Sequence, residues 1–507
     1  MSDKHDWTWE DFDDPEEVRP DYENAIRIDF TLWSDSPGVE QVVLNLTEGL
    51  DGNVNLNRAC MMVMVLNLYR CYKLNKEKYV IYVRRKGSYK LVHKYNPNRV
   101  TWTGLTRVAD ALKAQDFVDH ALGFYYRNQA VESGKCSRIK AKADFIEILE
   151  SEYGFDDSVV RNHPSKEVIF LKDRDKDLID YIDNTNNGAE RKRRIIREYN
   201  QFLESTYIDL DIGDFRVTRK EQEQHIALFR KQVYRVFNNG KVSLVDGGRL
   251  YGGFWEEIPS ELRLKVIINN MKVIECDYSG IHIHLLYARE GIDFSRYGKD
   301  AYQLPDYPDT GKMRQVFKDL LLVAINAENE TSAIAAMQNK FRTHPGDYPD
   351  IIPDLKDAIQ DFREYHKPIA KYLFKGVGIK LMKADSDIAT EVIYNMMQKD
   401  IPVLPVHDSF ICPKIHEEKL ICTMKQCYQK HCGYDVTKAL LIKKPNIKIK
   451  HDEHDRDIEY PICGDEEYYY DLNYIKDEHL IRRILYYDSE CTISKYVELH
   501  IKCGGRS

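Results

Sequence analysis

The chain has 507 residues, 43% hydrophobic and 11% aromatic with 34 Tyr, a net charge of −8 and a pI of about 6.1. That length holds two to four domains with ample material for a core, which excludes a disordered or low-complexity chain. The charge excludes a protein that coats nucleic acid by bulk attraction but leaves room for a local basic groove: acidic residues crowd Asp3 to Glu23 and Asp452 to Asp471, and the middle is richer in Lys and Arg.

The eleven cysteines include no Cys-x-x-Cys pair. Cys60, Cys276, Cys412 and Cys422 lie in apolar runs, where a free thiol behaves as a small hydrophobe. Cys422, Cys427 and Cys432 recur every five residues, which points successive sulfurs around a helix rather than at one metal. A reducing compartment follows. The first residues carry no apolar leader and no stretch reaches membrane-span length, so the expectation is an intracellular, cytoplasmic protein without a membrane partner.

In chain order, residues 1–24 read as an acidic tail in which Trp7, Trp9 and Phe12 are interleaved. Residues 59–69 are apolar almost all round, which predicts a buried helix. Residues 78–92 alternate apolar and charged positions (Tyr79, Ile81, Val83), as in a strand pair turning at Gly87. Residues 104–112 and 115–122 read as two short helices, followed by a hairpin around Ser133 and Gly134. Helix, helix and hairpin is the order of a winged helix over 100–145, with Arg127, Lys135, Arg138, Lys140 and Lys142 placed for phosphates. A solvated basic hairpin fits the same residues.

Residues 184–188 break the chain, and the basic run 190–197 opens a helix that is either a template-facing or a solvated face. Residues 216–236 read as a long basic helix. These signals place an accessory domain over 25–210.

Downstream, two apolar runs each end in an aspartate. Val273 to Cys276 leads into Asp277, and Ile401 to Val406 leads through His407 into Asp408. Each reads as a buried strand carrying a carboxylate to its tip. A buried carboxylate needs a pair, hydrogen bonds or a metal, and two of them suggest a shared cation site of the two-metal kind used in phosphoryl transfer. Singly, Asp277 would equally cap the helix that follows, and Asp408 would fit a hairpin turn. Arg314 and Lys318 are four apart, hence on one helical face, and Lys312 extends a cationic ridge.

The residues around the aspartates resemble a known family. Asp277-Tyr278-Ser279 before an apolar helix is similar to motif A of the family-A DNA polymerases and of the related single-subunit phage-type RNA polymerases. His407-Asp408-Ser409 resembles their motif C, and Arg314 with Lys318 resembles the Arg-x-x-x-Lys of motif B. Gly248-Arg249-Leu250, followed by Ile258-Pro259, is similar to the segment that precedes motif A. The four elements occur in the family's order and span roughly 230–440.

The resemblance implies an α+β fold, with a right-hand polymerase palm over 211–450 and helical fingers over about 300–375. The implied activity is template-directed nucleotidyl transfer, with DNA rather than RNA as the expected product. Asp277 and Asp408 would hold Mg²⁺, or Mn²⁺ in its place, and Lys318 would act as the third catalytic residue. Arg314, Lys318, His282, Asn326 and Tyr278 would bind the nucleoside triphosphate, and Arg249 and His407 the primer and template nucleic acid. Lys340, Arg342, Arg363 and Lys367 would be further contacts in the fingers.

Two positions depart from the pattern. His282 stands where the DNA enzymes have a glutamate, and Asn326 where they have a tyrosine, which leaves the choice of sugar open. Residues 383–389 read as a helix supporting the palm, with no catalysis assigned. No proofreading-nuclease pattern appears in the first 210 residues. Over 451–507 the sequence reads as an acidic linker, with a His451 to Asp455 cluster, and a helix over 472–487. Two other functions fit the same features: a DNA-binding replication initiator or regulator with a catalytically inert palm, and a nucleotidyltransferase that works without a template.

Overall fold

The computed structural model describes residues 25–433, apart from 85, 90–92, 128–131, 157–158, 182–187, 213–215, 220–221, 227, 229, 239–242 and 295–299, together with the strand 440–443. The expected tail, the His451 to Asp455 cluster and the helix over 472–487 lie outside these residues. The fold is mixed α+β, in two compact units. The first runs to Glu167 and includes Thr218–His225; the second comprises Val168–Val217 and the chain from Ile226. Among the described residues, no helix is long and apolar enough to cross a membrane.

In the first unit, helices α1 (Pro37–Thr47), α2 (Val54–Leu74), α3 (Trp102–Ala114) and α4 (Ala143–Tyr153) accompany a sheet ordered β1 (Ile26–Arg27), β3 (Val80–Tyr82), β7 (Ser137–Ala141), β4 (Val118–Ala121). Strands β2 (Leu32–Trp33) and β8 (Arg161–Asn162) pair separately, as do β5 (Phe124–Arg127) and β6 (Glu132–Lys135). The apolar run over 59–69 lies inside α2, whose Cys60, Met61, Met64, Val65 and Leu68 are buried in the core of the unit. The Asn53 side chain starts α2 by accepting from the Leu56 N–H.

Three sequence expectations fail in these regions. The second helix of the winged-helix reading does not form: Asp116 turns the chain at a φ of 60°, and Val118–Ala121 pairs antiparallel with β7. Of its cations, the side chains of Arg127 and Lys135 are not among those described. Arg138 is buried, Lys140 pairs with Glu77 at 3.0 Å, and Lys142 pairs with Asp116 at 2.5 Å. The strand pair expected over 78–92 stops after β3, because the Trp102 indole and the Tyr89 hydroxyl occupy the carbonyls of Arg84 and Val83 that a partner strand would need. The helix expected over 216–236 is replaced by the hairpin β11 (Arg216–Arg219) and β12 (Gln222–His225) and then β13 (Tyr234–Asn238). Over 216–225 Val217 is the single apolar residue, so a helix there would have no stripe to bury.

The second unit begins with β9 (Ile169–Lys172), α5 (Ala189–Glu204) and β10 (Ile208–Leu210). The break between units therefore falls at Glu167/Val168 rather than near residue 210. The reason lies in α5: the Tyr199 hydroxyl donates to the Val403 carbonyl, and the Asn200 amide exchanges two hydrogen bonds with the Val233 backbone. Strand β13 pairs with β9 and with β14 (Gly247–Tyr251), and the short helix α6 (Phe254–Glu257) follows.

The main sheet is ordered β10, β15 (Val266–Ile268), β16 (Met271–Tyr278), β18 (Ser409–Pro413), β17 (Leu404–Val406). Strand β19 (Leu440–Lys443) joins the other flank of the β16 tip. Helices α7 (Ile281–Arg289), α8 (Gly311–Asn326), α9 (Glu330–Thr343), α10 (Leu355–Tyr365), α11 (Gly378–Met397) and α12 (Glu417–Cys432) complete the unit.

Candidate active site

Strand β16 places its side chains alternately on the two faces of the sheet. Cys276 and Tyr278 fall on one face; the Tyr278 hydroxyl donates to the Met424 carbonyl of α12 at 2.6 Å, and its ring meets Phe410 and Tyr428. Tyr278 is therefore a buried core residue, which corrects its expected place among the nucleotide-binding residues. Glu275 and Asp277 fall on the opposite face.

Asp277 lies directly opposite Ser409 on β18, and the Tyr278 N–H donates to the Asp408 carbonyl at 3.3 Å. The two aspartates, 131 positions apart, thus sit on adjacent backbones about 5 Å from one another. Asp408 is the second residue of the two-residue turn between β17 and β18, and His407, the first, has a φ of 59°. A non-glycine residue there is held by its surroundings at a cost of about 1–3 kcal/mol.

Tyr302 lies beside the end of β16. Its hydroxyl lies 3.0 Å from where a Cβ on Gly280 would stand, just past Asp277. Burial raises the Tyr302 phenol well above its ordinary value; Arg314 opposes this, while Asp300, Asp408 and Asp277 add to it. The Arg314 guanidinium lies 5.1 Å above the Tyr302 ring, and its Nε donates to Asp300 at 2.7 Å. Lys318, one turn further along α8, is exposed and has no ion pair among the described residues. Asn326 closes the same helix about 18 Å from Arg314, where its amide donates to the Leu322 carbonyl and abuts Gly378 of α11.

On the other side, Asp385 of α11 is 2% exposed and uses one oxygen, Oδ2, for two partners. The Arg249 guanidinium donates to it at 2.7 Å, and His282 Nε2 lies 2.8 Å away. Burial works against the charge on Arg249, and Asp385, followed by Asp408 and Tyr251, more than restores it. His407 packs edge-on against Tyr251. Burial, aided by Arg249, lowers its imidazole, although Asp408 and Asp385 oppose the shift, so His407 is neutral near pH 7.

Two further clamps hold the frame. Fully buried Arg235 donates to Gly248 O (2.7 Å), Ser386 Oγ (3.1 Å) and Asp387 Oδ1 (2.9 Å), tying the β13–β14 hairpin to α11. Glu275 Oε1 accepts from Ser409 Oγ (2.5 Å) and from Arg263 (3.2 Å).

Asp277, Asp408, Arg249, His282, His407 and Arg314 thus gather in one region of the second unit. Asp385, Tyr302, Glu275 and Arg235 join them without having been assigned a site role from the sequence. The proposed fingers cations are engaged within their own region: Lys340 with Asp319 at 2.7 Å, Arg363 with Glu330 at 2.8 Å, Arg342 with Asn339 at 2.8 Å and Lys367 with Glu364 at 3.6 Å. The first two of these contacts join neighbouring helices, and the last two are local to one turn.

Among the described residues, no group of three or more His, Cys, Asp or Glu side chains closes around one point. Two carboxylates nevertheless fit Mg²⁺, a hard cation that keeps several waters and takes one or two protein carboxylates plus substrate phosphates. No family model and no curated protein matches the chain. Among solved structures it is similar to the POL domain of Pol1 from M. smegmatis in complex with DNA primer-template and dNTP, at 12% identity and a TM-score of 0.26, covering 81% of this chain and 66% of that one. The chain spans just under two thirds of that structure's length, and overlap of this degree assigns neither fold nor function.

Proposed function

We propose that the second unit is a template-directed nucleotidyltransferase, more suited to DNA than to RNA synthesis, with the six-stranded sheet as its palm and α8 to α10 as its fingers. The observation that supports this reading is the placement of Asp277, at the tip of β16, beside the turn that carries Asp408, with Arg314 stacked on Tyr302, whose hydroxyl lies next to Gly280. Bound there by Asp277 and Asp408, Mg²⁺ or Mn²⁺ would supply activation of a 3′-hydroxyl and charge stabilisation on a triphosphate.

The chain's own residues then divide the remaining work. Arg314 meets the triphosphate, and exposed Lys318 gives a proton to the leaving pyrophosphate. Arg249 and neutral His407 orient the primer end, held against Asp385 and Tyr251 respectively. His282 and Asn326 lie on the nucleotide's sugar side. The proposed partners are a primer and template and nucleoside triphosphates.

The test supplies purified protein with primed or unprimed templates, all four dNTPs or all four NTPs, and Mg²⁺ or Mn²⁺. Templated dNTP incorporation that Asp277→Asn and Asp408→Asn each lower by roughly two to three orders of magnitude is the expected result. Products that ignore template sequence would replace this reading with untemplated addition. DNA binding without incorporation, unchanged in both variants, would replace it with an initiator on an inert palm.

A further inference from the structure

We infer that His366 is a positioning residue for the triphosphate side of this site, setting Asp300, Tyr302 and through them Arg314 by hydrogen bonds from the end of α10. The inference rests on reading Asp277 and Asp408 as the nucleotidyl-transfer pair.

His366 is 0% exposed, inside a cage formed by Tyr287, Phe294, Phe362 and Tyr365. An imidazole in such surroundings is costly unless both ring nitrogens are satisfied. Burial brings its pKa down to about 4, so the ring is neutral at physiological pH and carries one N–H. The Ala301 carbonyl, 2.8 Å from Nε2, can only accept. The proton is therefore on Nε2, and Nδ1 accepts from the Tyr287 hydroxyl at 2.9 Å. A phenylalanine would fill this aromatic cage, so packing alone does not call for histidine.

What the two bonds accomplish is a connection. Tyr287 belongs to α7, the helix that follows Asp277, and Ala301 lies between Asp300 and Tyr302. Asp300 accepts from the Tyr302 N–H with one oxygen (2.8 Å) and from Arg314 with the other (2.7 Å). The Arg314 guanidinium lies over the Tyr302 ring, whose hydroxyl stands beside Gly280, three residues after Asp277. A shift of the Ala301 carbonyl therefore moves the cation that meets the triphosphate while leaving the β16 and β18 backbones in place. Binding should suffer more than the chemical step.

The experiment measures single-nucleotide incorporation by the full-length protein. His366→Phe should raise KM for the nucleotide about tenfold with kcat within about twofold, the effect of losing one or two neutral hydrogen bonds. His366→Gln, whose amide can still donate to Ala301, should bring KM back to within about threefold of the wild type. Tyr287→Phe removes a single hydroxyl and guards against misfolding of the larger change; it should raise KM in the same direction by about threefold. An unchanged KM in His366→Phe and Tyr287→Phe, a loss confined to kcat, or equal defects in the Phe and Gln variants of His366 would overturn the inference. A wild-type protein that incorporates no nucleotide would instead sink the polymerase reading on which it rests.

Discussion

Removing the Asp385 carboxylate should cost both stability and activity, and the structure sets the scale. Asp385 is buried and serves Arg249 and His282 through one oxygen. A hydrogen bond between charged groups contributes about 1.5–3 kcal/mol, and breaking a buried pair by deleting one partner costs about 3–5 kcal/mol. Arg249 keeps 19% exposure, so water restores part of its solvation, which places Asp385→Ala near ~3 kcal/mol. Asp385→Asn preserves an acceptor for Arg249 and loses only the charge, at about 1–2 kcal/mol. Because two units need not unfold together, hydrogen exchange resolved on β14 and α11 is the appropriate assay, with urea unfolding beside it. Nucleotide incorporation should fall about a hundredfold in Asp385→Ala as Arg249 and His282 lose their common anchor. Protection changed by less than ~0.5 kcal/mol, the range of an ordinary surface substitution, would refute the reasoning.

Glu256 supplies a pH dependence. Its Oε1 is buried without a hydrogen-bond partner among the described residues, and burial raises the carboxyl to about 8. The folded chain thus keeps a proton that the unfolded chain releases above the ordinary glutamate value, so this group's stabilisation is lost as pH rises from about 4.5 through 8. Glu256→Gln should gain on the wild type over that window in chemical denaturation, and a constant difference would contradict the assignment. Gly248→Ala should destabilise by about 2–4 kcal/mol, since Gly248 has a φ of 89° and an added Cβ would stand 2.6 Å from the Phe237 ring; urea midpoints measure it. Glu275→Gln leaves Arg263 without the carboxylate it contacts at 3.2 Å, on the Asp277 face of β16. Mn²⁺ affinity by electron paramagnetic resonance should weaken about tenfold, and an unchanged affinity in a folded variant would exclude this electrostatic role.

The aspartate-bearing strands were legible because a short apolar run ending in a carboxylate has few other uses, and β16, β17 and β18 fall where those runs lie. The network beneath them was harder to read. Asp385 and Asp387 interrupt α11, whose Leu381, Ile388, Val392 and Ile393 are buried. Polar groups inside so apolar a helix need partners, and that was the available signal. The partners, Arg249 and Arg235, are 136 and 152 positions away on a hairpin, a distance that periodicity does not bridge. Residues 115–122 misled for a local reason, since Val118 and Ala121 suit a helical spacing as well as a strand. The ion pairs of Lys340 with Asp319 and of Arg363 with Glu330 were invisible because each joins residues of two different helices.

Strand β16 has a consequence for how the chain is made. One flank of its tip is closed by β18 and the other by β19, whose residues Leu440–Lys443 come late in the chain. Between Tyr278 and Leu440 lie about 160 residues, roughly 8–32 s of ribosomal synthesis. During that interval the nascent strand bearing Asp277 has open backbone donors and acceptors, the situation that invites pairing with a second nascent chain. A polypeptide terminated before Leu440 would keep that open edge permanently and should accumulate as insoluble material.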